Sequence, residues 1–124
     1  MKQHILIAED DLASSVLLTE LLTRWGYEVT VAANGREALD RLAERPADLV
    51  VLDLQMPVLD GFGALAEIRA RDGARVPAVA LTAFAMREDR ERILAAGFDH
   101  YLTKPVRFED LRQTLETALP KPPE

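Results

Sequence analysis

The sequence predicts an α/β fold in which a parallel sheet carries helices on both of its faces. Five short apolar runs, rich in β-branched residues, alternate with segments whose apolar residues recur at helical spacing. Strands that are apolar along their whole length are typical of a parallel sheet, because helices cover both faces of such a sheet. The 124 residues, 48% of them hydrophobic, are enough for one domain with one sheet.

Each predicted strand is five or six residues long. The third is the most apolar, and after Leu49–Leu52 it ends on a carboxylate, Asp53. A charge at a strand end needs a reason, since its neighbours are suited to burial. The five predicted strands are HILIA (4–8), YEVTVA (27–32), DLVVLD (48–53), PAVALT (77–82) and HYLTK (100–104).

Capping residues mark the ends of the predicted helices. Asp11 and Asn34 precede the first and second helices, and both residue types are favoured N-caps. Gly26, Gly73 and Gly97 follow the first, third and fourth helices, where glycine commonly ends a helix. The predicted helices cover residues 12–25, a segment that begins after Asn34, and residues 62–71, 86–96 and 108–119.

Composition excludes several classes of function. The net charge of −6 repels a nucleic-acid backbone, so we expect no direct binding of nucleic acid. The chain has no cysteine, which rules out disulfides and thiol chemistry. No apolar run reaches the length of a signal peptide or a membrane span, and we therefore expect a cytoplasmic protein with no membrane contact. Residues 1–119 are predicted to form the domain and residues 120–124 a proline-rich tail.

Acidic residues follow two of the predicted strands. Glu9, Asp10 and Asp11 come directly after the first strand, and Asp53 ends the third. If these strands are neighbours, the acids meet, and two carboxylates about 4 Å apart repel by roughly 4 kcal/mol at an effective dielectric constant near 20. Either one acid keeps its proton or a hard divalent cation such as Mg²⁺ lies among the oxygens. The alternative is that Glu9 and Asp10 are solvated loop acids; for Asp11 we favour a helix cap.

Two more strand ends carry complementary groups. Thr82 ends the fourth predicted strand, and Lys104 ends the fifth, before Pro105. An acidic nucleophile, a metal pocket, a hydroxyl and a lysine are the groups needed to receive a phosphoryl group. Taken singly, each has a simpler interpretation, because Thr82 could be an ordinary strand-end threonine and Lys104 a surface lysine.

These residues resemble the CheY-like receiver domain of two-component response regulators. The segments ILIAEDD, NGREAL, DLVVLDLQMPVLDG, VPAVALTA and AAGFDHYLTKP fall in the order and spacing of that family and span nearly the whole chain. The resemblance implies a flavodoxin-like, doubly wound (βα)₅ fold with five parallel strands in the order 2-1-3-4-5. It is this order that would make the first and third strands neighbours.

The resemblance also implies roles for individual residues. Asp53 would be the phosphoacceptor, and Mg²⁺ would be held by Asp10, by Asp53 and by the backbone carbonyl of Gln55, with Glu9 acting more through water. Glu9 stands where many members of the family have Asp. Thr82 and Lys104 would match the catalytic hydroxyl and lysine, with a cis Lys104–Pro105 peptide, and Thr82 and Tyr101 would form the switch.

The implied function is to take a phosphoryl group from a phosphohistidine on a sensor histidine kinase or a histidine phosphotransfer protein. The added charge would reshape a binding face made by the fourth helix, fifth strand and fifth helix. We do not expect a conventional enzyme, since the domain would catalyse only its own phosphorylation and dephosphorylation. The alternative is a receiver-like module that binds protein without being phosphorylated, and the sequence does not decide between a stand-alone regulator and a domain of a larger protein.

Two rival functions fit less well. A metal-dependent phosphatase with an aspartyl nucleophile would have a second acid two residues after it, where Gln55 stands. An FMN-binding domain would need backbone donors after the first strand, where AEDDLA repels phosphate.

Several neighbouring residues carry smaller predictions. Phe84 is predicted to slow hydrolysis of the phosphoryl group, and Gly61 to allow the turn beside the site. His4 and His100 are interpreted as strand-end histidines. The charged residues of the fourth helix form either a patch for a partner or a solvated face, and we favour the solvated face; they are Arg87, Asp89, Arg90, Glu91 and Arg92.

Overall fold

The computed structural model describes residues 2–72, 76–83 and 86–119, which form five strands and five helices in strict alternation. Most boundaries agree with the predictions to within one residue. The predicted end of the third helix at Gly73, Phe84 and the tail 120–124 lie outside the described residues. The elements are β1 (His4–Ala8), α1 (Leu12–Arg24), β2 (Glu28–Ala32), α2 (Gly35–Glu44), β3 (Leu49–Asp53), α3 (Gly61–Asp72), β4 (Ala78–Thr82), α4 (Arg87–Ala95), β5 (His100–Thr103) and α5 (Phe108–Ala118).

The five strands form one parallel sheet in the order β2-β1-β3-β4-β5, which confirms the order implied by the resemblance. Ala8 lies opposite Ala32 of β2 on one side and Leu52 of β3 on the other. Asp53 lies opposite Leu81 of β4. The carboxyl ends of β1, β3 and β4 are therefore side by side at one edge of the molecule, where ligands bind in sheets of this kind.

Alternate strand residues pack against different layers of helices. Leu6, Val50 and Ala80 face the side covered by α2, α3 and α4. Ile7 and Val51 face the other side, covered by α1 and α5. Because β1, β3 and β4 are buried on both faces, their apolar runs have no polar alternation. Among the described residues, no helix has the length and hydropathy that a membrane span requires.

The predicted capping residues occupy the ends of their helices. Asp11 accepts a hydrogen bond from the Ser14 N–H at 2.9 Å, and Asn34 accepts one from the Glu37 N–H at 2.9 Å. Gly26 has a φ of 97° and follows α1 in a Schellman motif, with the Tyr27 N–H bonded to the Leu22 carbonyl at 3.0 Å. These caps fix where α1 and α2 begin and where β2 starts after α1.

The loop from β3 to α3 makes the predicted turn beside the site. Gly61 is the first residue of α3, and a Cβ there would lie 2.4 Å from the Asp53 carbonyl oxygen, so glycine is required for close approach. The residue with a left-handed φ is Val58, at 70°, in a γ-turn closed by the Leu59 N–H and the Pro57 carbonyl at 2.7 Å. Gly61 therefore permits the turn, as predicted, but through its missing side chain and not through a left-handed φ.

Replacement of Val58 should stabilise the protein, since a β-branched residue in the left-handed region carries a cost of about 1–2 kcal/mol. Val58 is 80% exposed, so its side chain contributes little packing. We expect Val58→Asn to raise the free energy of unfolding by about 1 kcal/mol, because Asn tolerates this conformation. Chemical denaturation measures the change, with Val58→Ala as a control that should gain less. Equal stability of Val58→Asn and the wild type would contradict the strain at Val58.

Candidate functional site

Three acidic side chains meet at the carboxyl ends of β1 and β3. Glu9, Asp10 and Asp53 each place a carboxylate oxygen within 4.8 Å of the others. Glu9 and Asp53 are buried, with 2% and 4% of their surface exposed, whereas Asp10 is exposed. The predicted convergence of these acids is present, and it is open to solvent on the side of Asp10.

Lys104 connects the two buried acids. Its Nζ lies 2.9 and 3.1 Å from the two carboxylate oxygens of Glu9 and 2.5 Å from Asp53 Oδ2. Lys104 follows β5, two strands away from β3, and reaches across the end of β4 with a largely shielded side chain. One ammonium group thus faces two carboxylates, so the cluster of Glu9, Asp53 and Lys104 has a formal negative charge if both acids are ionised.

The three groups shift one another's protonation. Burial and, next, the hydrogen bond with Asp53 raise the pKa of Glu9 to about 7, even though Lys104 acts to lower it. Burial also acts to raise the pKa of Asp53, but hydrogen bonds from Glu9, Lys104 and the Gln55 N–H bring it below its usual value. Burial opposes the charge of Lys104, yet the two acids raise its pKa. Asp53 is therefore the carboxylate that stays ionised, which a nucleophile requires.

The acidic cluster has the chemistry of a site for a hard divalent cation. Carboxylate oxygens are the ligands that Mg²⁺ prefers, and one or two carboxylates with water are its usual protein ligands. Burial first, and the neighbouring Asp53 second, raise the pKa of Glu9, and added positive charge would favour its ionised form. The residues present therefore fit Mg²⁺, with Asp10 on the exposed side of the cluster.

The remaining predicted residues surround the cluster at different depths. Thr82, 5% exposed, ends β4, and its carbonyl accepts a hydrogen bond from the Lys104 N–H at 2.8 Å. The Gln55 N–H donates to Asp53 Oδ1 at 2.9 Å, while the role of its carbonyl stays a prediction.

Tyr101 is half-buried on β5, opposite Ala80, and packs on the side of α2, α3 and α4. The Lys104–Pro105 peptide is cis, as the resemblance implies.

The histidines lie at the opposite edge of the sheet, because His4 and His100 begin their strands. The ring of His4 is buried and lies within hydrogen-bonding distance of the Pro46 carbonyl, at 2.9 Å, and of Thr30 Oγ1, at 2.6 Å. This placement confirms the interpretation of both residues as strand-end histidines.

Arg92 is exposed, as the predicted solvated face requires, and it also contacts α3. Its guanidinium lies 4.5 Å from the centroid of the Phe62 ring of α3. Phe62 in turn meets Phe98 edge to face, with centroids 6.0 Å apart. By contrast, Arg87 and Glu91 form an exposed pair at 3.5 Å, as a solvated face would. Sequence spacing could not reveal the contact of Arg92, because it joins two helices.

The fold and the site define a class: flavodoxin-like domains with an acidic pocket and a lysine at the carboxyl end of a doubly wound sheet. The family model described as the response regulator receiver domain matches residues 5–116. The chain belongs to this family and is a receiver domain of two-component systems. The family match supports neither the phosphatase nor the FMN-binding alternative.

Similar proteins include a hybrid kinase and two receivers of known structure. The chain is 37% identical to hybrid signal transduction histidine kinase I of Dictyostelium discoideum over 96% of this chain and 7% of that protein. It resembles the receiver domain of the Pseudomonas aeruginosa sensor histidine kinase PA1611, solved with magnesium in its active-site cleft, at 39% identity and a TM-score of 0.86 (95% and 98% of the chains). It also resembles a chain in the Saccharomyces cerevisiae complex of Ypd1 with the Ssk1 receiver domain, at 31% identity and a TM-score of 0.84 (97% and 94%).

The chain spans a small part of several relatives, between 7% of the Dictyostelium kinase and 26% of similar transcriptional regulatory proteins. The activities of those whole proteins therefore do not carry over to this chain, which matches only their receiver domains.

Metal-free protein should lose stability as the pH rises from about 5 to 8. The pKa of Glu9 is raised from 4.5 to about 7 on folding, so the folded state binds the proton more tightly. The resulting stabilisation is complete below pH 4.5 and is lost as the pH rises through about 7, with a total on the order of 3 kcal/mol. Denaturation in the presence of a chelator measures this profile. Glu9→Gln should abolish the decline over this range, and an unchanged slope in that variant would refute the assignment to Glu9.

Proposed function

We propose that Asp53 accepts a phosphoryl group from a phosphohistidine on a sensor histidine kinase or a histidine phosphotransfer protein. The observation that carries this proposal is the arrangement of Asp53: Lys104 Nζ lies at 2.5 Å, and oxygens of Glu9 and Asp10 lie within 4.8 Å. A nucleophile, a fixed cation and a cation-binding pair of acids thus share one pocket, which is what phosphoryl transfer requires.

The transfer step forms one bond and breaks one. A carboxylate oxygen of Asp53 attacks phosphorus and forms a P–O bond, while the P–N bond to the donor imidazole breaks and its electron pair goes to the ring nitrogen. The lowered pKa of Asp53 keeps the attacking carboxylate ionised. Lys104, already beside Asp53, places its positive charge where negative charge on the phosphoryl oxygens has to be stabilised.

We further propose Mg²⁺ as the cofactor. Asp10 and Asp53 would hold it directly, with the carbonyl of Gln55, and Glu9 would act through water. When bound, the ion supplies positive charge that neutralises phosphoryl oxygens. The magnesium in the similar PA1611 receiver supports this assignment.

Phosphorylation would act as a switch through Thr82 and Tyr101. A phosphoryl group on Asp53 adds oxygens that accept hydrogen bonds, and the Thr82 hydroxyl ends the strand next to β3. Inward movement of Thr82 would free space for half-buried Tyr101. The surface of α4, β5 and α5 would change with it, and this surface would bind the downstream partner.

The proposed partners and context follow from the family. The similarity to the complex of Ypd1 with a receiver supports a phosphotransfer protein as donor. Because the reaction modifies the domain's own side chain and not a separate substrate, we class the protein as a signalling domain and not as a conventional enzyme. We place it in the cytoplasm, where kinases of this type have access to ATP.

Phosphorylation of Asp53 can be tested with acetyl phosphate as the donor. We expect intact-mass measurement to show a gain of one phosphoryl group in the presence of Mg²⁺. Asp53→Asn and a sample with chelator should show no gain. If the wild type stays unmodified while calorimetry shows Mg²⁺ bound, the acceptor role fails for this donor; failure with a phosphorylated histidine phosphotransfer protein as well would favour the phosphorylation-independent module.

Replacement of Lys104 should change metal affinity and reaction rate in opposite directions. Its ammonium group competes with a cation for oxygens of Glu9 and Asp53, so Lys104→Gln should bind Mg²⁺ more tightly. The same variant loses charge stabilisation of the phosphoryl group, and its phosphorylation rate should fall by at least about tenfold. Titration calorimetry and timed intact-mass measurements report the two effects. Lys2→Gln, which changes an exposed lysine outside the site, should alter neither; weaker Mg²⁺ binding by Lys104→Gln would count against the competition.

A further inference from the structure

Helix α4 has few attachments to the rest of the domain. In this helix, all of which the structure describes, Ile93 is the buried residue. The N-cap residue, Met86, makes no side-chain capping hydrogen bond within the described part of the chain. A helix with one buried side chain and no side-chain cap at its N-terminus gains little stability from its own packing. Each further contact with the domain therefore contributes strongly to its position.

Arg92 provides such a contact. Its guanidinium lies over the face of Phe62 at 4.5 Å, within the range of a cation–π interaction, and so connects α4 to α3. Phe62 is itself held from the side by Phe98, edge to face. Phe62 belongs to α3 and Phe98 to the loop directly after α4, so Arg92 adds a second contact between the α4 region and Phe62.

The same residue borders a cavity beside the acceptor site. A cavity of about 230 Å³ lies between α4 and the β3–α3 region, and its lining includes Gln55, Thr82, Asp89, Arg92 and Phe62. Gln55 donates its N–H to Asp53, and Thr82 is the hydroxyl residue of the proposed switch. Arg92 and Phe62 thus line the same cavity as Gln55 and Thr82, two residues beside Asp53.

We propose that Arg92 is a positioning residue for the phosphorylation-dependent change, holding α4 on Phe62 in the arrangement of the unphosphorylated domain. This inference rests on the proposed function of Asp53 and names a regulatory contact for it. An exposed cation–π interaction is equivalent to about a two- to fivefold change in an equilibrium constant. That contact is strong enough to bias a two-state helix and weak enough for phosphorylation to overcome.

Hydrogen exchange of the unphosphorylated protein tests the attachment itself. We expect Arg92→Gln to raise the exchange of α4 amides about two- to fivefold, with α1 as the internal reference for global stability. Arg92→Lys should show a smaller effect, since an ammonium group still interacts with the ring. Arg90→Gln makes the same change of charge at another exposed arginine of this helix and should leave exchange unchanged. Equal exchange in Arg92→Gln and Arg90→Gln would overturn the proposal.

The rate of phosphorylation by acetyl phosphate tests the positioning role. Arg92→Gln should be phosphorylated about two- to fivefold faster than the wild type, at unchanged Mg²⁺ affinity, because more of the protein already has α4 released. Faster exchange with an unchanged rate would make Arg92 a purely structural residue and would also overturn the proposal. A wild type that is not phosphorylated by either type of donor would instead refute the proposed function, and the positioning role with it.

Discussion

The ammonium group of Lys104, held between Glu9 and Asp53, is the interaction on which the site depends. Two carboxylates buried side by side are unstable unless positive charge or a proton compensates them. Lys104 compensates Asp53 at 2.5 Å, and Glu9 takes up the remaining imbalance through a pKa of about 7. Asp53 therefore stays ionised, as a nucleophile must. Additional positive charge near Glu9 would lower its pKa and so allow it to ionise at a lower pH. A cation bound among these oxygens, as proposed, would supply that positive charge.

The topology of the sheet is what makes this cluster possible. Glu9 and Lys104 are 95 residues apart, and Asp53 and Lys104 are 51 apart. Because all five strands are parallel and β1 lies next to β3, the residues that follow the strands meet at one edge. The close approach of Gly61 to the Asp53 carbonyl brings the first turn of α3 against the same edge. The packing of the apolar strand residues therefore determines the geometry of the charged site at the ends of the strands.

Much of this arrangement was predictable from local sequence. Strand and helix positions followed from apolar periodicity, and Asp11, Asn34 and Gly26 marked helix ends because capping depends on neighbouring residues. The order of the strands was not local, and only the resemblance to receiver domains supplied it. Contacts between distant elements, such as Lys104 with Glu9 or Arg92 with Phe62, depend on side-chain directions that periodicity does not encode.

The structure divides into a firmly held acceptor region and a loosely held responding region. Close backbone packing fixes the loop after Asp53, since the Gly35 N–H donates to the Leu59 carbonyl at 2.9 Å and no side chain would fit at Gly35. Such a loop holds the acceptor still, as phosphoryl transfer requires. Helix α4, by contrast, buries Ile93, and it contacts Phe62 through Arg92 and through Phe98, which follows its last turn. If Asp53 is phosphorylated as proposed, the new charge would displace the firmly packed loop less than α4 and the surface beside it, which are held by fewer contacts.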